Sequence, residues 1–400
     1  MRAGSIFPCQ LRVFAATLSS NSMPHPTHQP AAALGDLQIL DFSRVLAGPF
    51  ATMMLADLGA TVIKVERPGI GDETRSWGPP YDDRGQATYF QSVNRNKRSL
   101  VLDLSTEADL DRASALARRV DVLVENFRPG VMDKLGLGYA RLRGENPRLV
   151  FCSITGFGAG AGAELPGYDL LVQALGGLMS ITGSPEGEPQ KVGVALVDVL
   201  AGLFASVGIL AALRHRDATG EGQLVEVDLL SALLAGLVNQ GTAFTIAGVV
   251  PQRLGNAHPS ISPYELYATG EGELVVAVGN DRQFAALCDV IGAPELAGDA
   301  RFATNGERVG NREALRIELA ERLVSKTAED WAARLRSVRV PAGVVNDLRG
   351  AFALAQSLGL EPIVEVPAGN GASVPLTRNP IRLSRTPPSY RSAPEALPES

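Results

Sequence analysis

The sequence predicts an α/β protein, with a mostly parallel, doubly wound sheet and a second, smaller α+β unit, and three observations carry that prediction. From Leu37 onward, short apolar runs alternate with helix-periodic stretches, the pattern of βαβ units. The unit then repeats with its own helix-start signal. Between about Leu254 and Val338 the texture changes to a hairpin and charged helices before the first texture returns, so the smaller unit interrupts the larger one.

In chain order, "LQILDFS" reads as a strand, Ala47 to Leu58 as a helix and "TVIKVE" as a second strand. "RSLVLDL" opens the repeat, and Thr106 with Asp109 makes a Thr-x-x-Asp capping pattern. Leu110, Ala113, Ala117 and Val120 trace one helical face, and "DVLVEN" is the next strand. A short helical stretch around Tyr139 to Arg143 leads into the strand "RLVFCSITG". Asp198 to Leu213 reads as a buried helix ended by the charged turn "RHRDATGEGQ", and "LVEVDLLSALLAGLVNQGTAF" as a strand entering another helix. "ELYATGEGELVVAVG" is a hairpin with a Gly-Glu-Gly turn, and Arg312 to Leu323 a charged helix. "VPAGVVNDL", "PIVEVP" and "SVPLTRNPIRLS" resume the first texture. The expected divisions are a leader at 1–35, a large domain from 36–225 and 340–385, and linker helices with the small domain at 226–339. A proline-rich, polar tail at 386–400 is expected to be disordered.

Composition narrows the function classes. The 400 residues are 45% hydrophobic and 20% charged, ordinary globular values. A net charge of −6 supplies no basic field for nucleic acid. Cys9, Cys152 and Cys288 are too few and scattered for a disulfide framework or a zinc site. The richest apolar stretch, Val192 to Leu213, is broken by Asp198, Gly202 and Gly208, short of the roughly 18 residues that span a bilayer; a soluble protein without a membrane partner is expected. The leader holds Arg2 and Arg12 and no acid before Asp36. It reads either as a mitochondrial presequence over residues 1–22 or as a lead-in to a start at Met23, so the compartment is cytoplasmic or, with a presequence, the mitochondrial matrix.

Three loops and one helix carry candidate chemistry. Ala47, Gly48 and Pro49 open a helix after the first strand, where free N–H groups attract phosphate; proline is also simply a good helix start. Arg67, Arg75, Arg95, Lys97 and Arg98 cluster in loops beside strand ends, as a phosphorylated handle needs, although a charge run is ordinarily a solvated surface. Asn126 and Phe127 follow a strand and suit a clamp for a flat ring, or merely end the strand. Asp198 stands before an apolar stretch. An N-cap is the common role there; a carboxylate nucleophile, with backbone N–H groups for the oxyanion, is the alternative. His25, His28 and His215 lie outside plausible sites, leaving His258 in a His-Pro turn.

Taken in order, "LDFSRVLAGPFATMMLADLGATVIKVERPGIGDETRSWGPP", "NRNKRSLVLDL", "VLVENFRPGVMDKLGLGY", "SITGFG", "GYDLLVQALGGLMSITG", "GVALVDVLAGL", "TGEGQLVEVDLL" and "GNAHPSISPY" resemble the family III CoA-transferases of CaiB/BaiF type. The resemblance runs from Leu37 to about Ser384. Within the family, "RVLAGPFATM", "GDETRSWGPP" and "GNAHPSISPY" are most similar to the succinyl-CoA-dependent dicarboxylate branch.

The resemblance implies a Rossmann-like large domain built from both chain ends, an inserted small domain and an interlocked homodimer. It implies that Asp198, in the Asp-x-x-x-Gly segment "DVLAG", attacks an acyl-CoA, forms a mixed anhydride, exchanges it for an aspartyl-CoA thioester and passes CoA to a carboxylic acid. CoA is then a substrate, with no prosthetic group and no metal. The family's CoA pocket maps onto Leu46, Ala47, Arg67, Leu102, Asn126, Phe127, Arg128 and Lys134. Tyr168, Asp169 and His258 are further candidates for contact with the substrate, and Arg44, Arg75 and Arg253 are candidates for a second carboxylate, because an arginine fork matches one. Racemases of the same family place a histidine where this chain has Tyr168, and a phenol is a poor proton shuttle at neutral pH. The glycine-rich lid of formyl-CoA transferase is replaced by "RLGNAHPSISPY", which argues against formyl-CoA with oxalate. Racemase-like isomerisation and non-catalytic CoA binding are the alternatives. By the same resemblance, the family's usual C-terminal helix is expected to be absent after the "PP" pair, where the sequence reads "PPSYRSAPEALPES".

Overall fold

The computed structural model describes residues 32–369 and 371–398; the expected leader up to residue 31, with Cys9 and the two possible starts, lies outside them. Six strands form a parallel sheet: β1 (Gln38–Asp41), β2 (Thr61–Glu66), β3 (Lys97–Val101), β4 (Val122–Glu125), β5 (Val150–Thr155) and β6 (Leu224–Asp228). Their order is β3-β2-β1-β4-β5-β6, every pair parallel. This is the doubly wound order with its reversal between β1 and β4, where ligands of such sheets bind.

Period-two alternation feeds two cores. Ile39, Val122, Val124, Val150 and Cys152 face one, packed with helices Ala47–Asp57 and Leu196–Thr219. Leu40, Leu123 and Phe151 face the other, with helices Glu107–Ala117 and Tyr139–Glu145. Thr106 caps Glu107–Ala117 by accepting the Asp109 N–H at 3.3 Å, as its spacing predicts.

A third core around Phe284, Leu319 and Trp331 belongs to an antiparallel sheet of β7 (Tyr264–Ala268), β8 (Glu273–Ala277) and β9 (Ala342–Val344). The helix Arg312–Leu323 packs there with its expected bounds. β10 (Ile363–Pro367) and β11 (Ser373–Thr377) form a separate antiparallel hairpin.

Four expectations change. β6 continues to Asp228, so the boundary expected at 225 falls inside a strand. β9 pairs with β8, Val276 opposite Ala342, because the open edge of β8 supplies the hydrogen bonds; the chain has not left the small unit at 340. The tail is ordered through Pro398. Ser389, Ser392 and Ala393 make main-chain hydrogen bonds to Asp57, Asn96 and Pro367, so it docks by hydrogen bonds and needs no core of its own.

The fourth concerns the apolar helix. It runs 24 residues, through the charged segment, until Gly220 turns it with φ 84°, the left-handed stop that glycine supplies. Its most apolar 18-residue window has a mean hydropathy of 2.3, so by length and composition it could cross a membrane, contrary to the sequence reading. It is buried on one side only. Val197, Ala201, Ala205 and Ile209 face the core, while Leu203, Phe204 and Val207 are exposed.

Candidate active site

The loops after β1, β4 and β5 gather at the reversal of strand order and wall a cleft of about 190 Å³ together with Tyr168, Asp169, Asp198 and Leu229. The loop after β1 is held from three sides. Arg44 N–H donates to Asn126 Oδ1 at 2.8 Å and Asn126 Nδ2 returns a bond to Arg44 O at 2.7 Å. Val45 has φ 69°, a left-handed conformation that costs a β-branched residue energy and persists only when its surroundings enforce it. Its N–H faces the Asp72 carboxylate at 3.3 Å. Lys64 Nζ donates to Ser43 O at 2.8 Å and pairs with Asp72 at 2.9 Å.

Beneath that loop lies Asp41, fully buried, which takes Lys97 at 3.1 Å, Thr52 Oγ1 at 2.6 Å and the Ser43 hydroxyl. Burial pushes its carboxyl upward, but the charges of Lys97 and Lys64 with the two hydroxyls win and hold it below the usual range. Burial outweighs the pairing at Lys97, whose ammonium drops to about 8.

Asp198 is the third residue of Leu196–Thr219, and Ala195 occupies the N-cap. The common N-cap reading is therefore corrected: the capping is done from another segment. Asp169 Oδ1 accepts the N–H groups of Val197 at 2.8 Å and Asp198 at 3.3 Å, while its Oδ2 takes Gln173 Nε2 at 2.6 Å. Among the described residues nothing donates to the half-buried Asp198 carboxyl. Burial first, and then the Asp169 charge, push it up to about 7. Tyr89 is the neighbour that sequence reasoning missed. Burial, then the charges of Asp198, Asp169 and Asp72, raise its phenol to about 12. It sits in a five-residue helix, Thr88–Ser92, too short for a periodic signal.

Gly202 places Asp198 against the β1 loop. A Cβ there would lie 2.6 Å from Ala47 O and 3.1 Å from the Phe50 ring, so only glycine lets the two helices approach this closely.

The cleft brings together Arg44, Leu46, Ala47, Asn126, Phe127, Arg128, Tyr168, Asp169 and Asp198. Arg67 and Leu102 line a second cavity of about 350 Å³, to which Arg44 and Phe127 also belong. The Arg44 guanidinium stands 5.1 Å from the centre of the Phe127 ring, so one cation–π pair forms the shared wall.

Other predicted residues are elsewhere. Lys134 lines neither cavity, although the adjacent Leu135 lines the second. Arg253 holds the 184–187 turn through Ser184 O and Gly187 O, and His258 Nδ1 accepts the Ser260 N–H; neither lines the cleft. Arg75 is consumed as well. Its fork grips Glu66 with two 2.7 Å bonds and stacks 3.7 Å over Phe90. The expected convergence of basic loops is corrected in the same way, since Arg95 is bound to Asp57 at 2.6 Å and Lys97 to Asp41. A buried cation without a partner costs several kcal/mol, about 3–5 when an existing pair is broken, so these side chains turned inward to carboxylates. Arg67 stays exposed at the second cavity.

The sequence profile of CoA-transferase family III matches residues 34–398. The chain is 43% identical over 373 residues to a succinate–glutarate CoA-transferase of Agrobacterium fabrum, covering 91% of this chain and 92% of that one. It is 40% identical over 358 residues to an acetyl-CoA:oxalate CoA-transferase of Acetobacter aceti, covering 89% and 90%. The crystal structure of a CAIB/BAIF family protein from Brucella suis, 42% identical, superposes with a TM-score of 0.82 over 92% of this chain and 97% of that one.

Proposed function

The chain belongs to CoA-transferase family III, and on that basis we propose that it carries CoA from an acyl-CoA, succinyl-CoA foremost, to a dicarboxylic acid through a thioester on Asp198. The observation that carries this reading is the state of Asp198: on the cleft wall, relieved of capping by Asp169, with no side-chain donor among the described residues, and pushed up to about 7 by burial and the Asp169 charge.

A carboxylate oxygen of Asp198 attacks the thioester carbonyl and the CoA thiolate leaves, giving a mixed acyl–aspartyl anhydride. The thiolate then attacks the aspartyl carbonyl, releasing the donor acid and leaving an aspartyl-CoA thioester. The acceptor carboxylate attacks that thioester, forming a second anhydride and freeing the thiolate. Attack of the thiolate on the acceptor's acyl carbonyl yields the new acyl-CoA and restores Asp198. Every step exchanges one acyl bond for another, and only the ionised carboxylate starts the cycle.

The second cavity suits the nucleotide end of CoA, with Arg67 for phosphate and Leu102 and Phe127 as apolar walls. Arg44 suits the distal carboxylate of the acceptor. It lines the Asp198 cleft, its Nη1 reaching Glu73 at 3.4 Å, and among the described residues its buried Nε has no partner, which leaves a donor for an incoming anion. A second copy of the chain is assigned to the exposed apolar side of Leu196–Thr219 and to Phe244 and Ile246 of the helix Val238–Ala247. A patch of this kind on a core helix fits an obligate interface, in keeping with the homodimer that the resemblance implies.

The test is to incubate the purified protein with succinyl-CoA, or acetyl-CoA, and glutarate or oxalate in turn, reading new CoA thioesters and the mass of Asp198 peptides after hydroxylamine trapping. A new glutaryl thioester with a trapped Asp198 is the expected result. Product without an adduct overturns the covalent path, and silence with every pair overturns the dicarboxylate reading.

A further inference from the structure

β3 is the outer strand of the sheet, so one row of its polar groups has no strand to pair with. The far end of the chain covers it. Asn96 N–H donates to Ser392 O at 2.9 Å, and Ser99 N–H donates to Glu395 Oε2 at 2.9 Å, across 296 residues. Arg391 fastens the segment, its guanidinium donating to Ala56 O and Ala60 O at 3.1 and 2.9 Å, at and just past the C-terminal end of the helix Ala47–Asp57.

From Glu395 a continuous set of bonds reaches the cavities. Glu395 O accepts Arg75 Nη1 at 3.0 Å, while Arg75 Nε and Nη2 grip Glu66 and Nη2 also reaches Ser99 Oγ at 3.2 Å. Glu66 Oε2 accepts the Asp72 N–H at 2.9 Å, and Asp72 pairs with Lys64 and faces Val45. Lys64, Glu66 and Asp72 line the second cavity, and Val45 lines the Asp198 cleft.

We propose that the segment Ser389–Glu395 is a positioning strap for CoA-ester binding: by completing the bonds of Arg75 and Ser99 it holds the loop between Arg67 and Arg75 as the wall of the second cavity. This rests on the reading that CoA occupies that cavity. No strap residue lines the Asp198 cleft, so the strap acts on ester affinity and leaves the chemical step alone.

Three variants test it: a chain ending at Pro388, which lacks the strap; Glu395→Ala, which loses only the Ser99 bond; and a chain ending at Ala396, which keeps both. The expected result is a KM for succinyl-CoA raised about tenfold in the first and about threefold in the second, with kcat and the KM for the dicarboxylate within about twofold of the full chain. The chain ending at Ala396 matches the full chain. Hydrogen exchange of residues 67–75 rises in step with KM, and in the full chain CoA slows it. If the shortest chain does not fold, Glu395→Ala decides. Unchanged ester KM and unchanged loop exchange in that variant overturn the strap while CoA protection of the loop upholds the site. Absence of CoA protection in the full chain overturns the site reading and the strap with it.

Discussion

Asp41 and Asp198 are both single acids set among apolar residues, "ILDFS" and "LVDVL", and both lie close to the start of the helix Ala47–Asp57. Their surroundings are opposite. Asp41 has Lys97, Thr52 and Ser43 on its oxygens and is held ionised well below neutrality. Asp198 has no side-chain donor among the described residues and another carboxylate beside it, and rises to about 7. Burial penalises both charges; the number and sign of partners decide which acid becomes part of the scaffold and which stands on the cleft wall with its charge opposed.

The largest effect expected from this contrast is at Asp198. Asp198→Asn lowers CoA transfer by about a thousandfold or more while CoA binding is kept, and the melting temperature is unchanged or higher because an ill-matched charge is removed. Transfer within tenfold of the parent enzyme, measured by mass spectrometry, breaks the contrast. Lys97→Met should do the reverse, costing about 3–5 kcal/mol in denaturant unfolding because Asp41 is left buried with a lost partner. A loss under about 1 kcal/mol would mean that Lys64 alone satisfies Asp41, well below the usual cost of breaking a buried pair.

The pH dependence sharpens the same point. A carboxyl that titrates near 7 is protonated below it, so kcat/KM should fall about tenfold per unit at pH below 7. Asp169→Asn removes the second cause of the shift and keeps an acceptor for the Val197 N–H, so the acid limb should move to lower pH. A limb that stays near 7 assigns the whole shift to burial. The smallest effect is at Gly202→Ala, where the 2.6 Å approach to Ala47 O forces the helices apart; a loss of about 1–3 kcal/mol in thermal unfolding is expected, with kcat falling as Asp198 moves from the β1 loop.

Much of the frame was legible. Strands from β1 to β5, the Thr106 cap and the helix Arg312–Leu323 follow from local periodicity and capping, which depend on residues within a turn of one another. The tail was misread because composition reports the absence of a core, whereas Arg391 and Glu395 dock it by hydrogen bonds to Ala56, Ala60 and Ser99. The Asp198 helix was expected to end at Leu213 and to be too interrupted to match a bilayer span, yet it runs to Thr219, with Gly202 inside it as a contact point. At the site, residue pattern and resemblance together pointed to Asp198, Asn126 and Phe127, which line the cleft, whereas the matching of an arginine fork to a carboxylate also offered Arg75, whose fork is spent on Glu66.

The sequence by itself determined the alternation of strands and helices, the strand faces and the identity of the lone acid in "DVLAG", because these are properties of neighbouring residues. Tertiary structure alone decided that Asp169 caps the Asp198 helix, that Lys97 and Arg95 turn inward, and that Tyr89 comes within the electrostatic reach of Asp198. The physical reason is that a charge takes its protonation state and its partner from whatever surrounds it in space, and here those groups come from segments tens of residues apart in the chain.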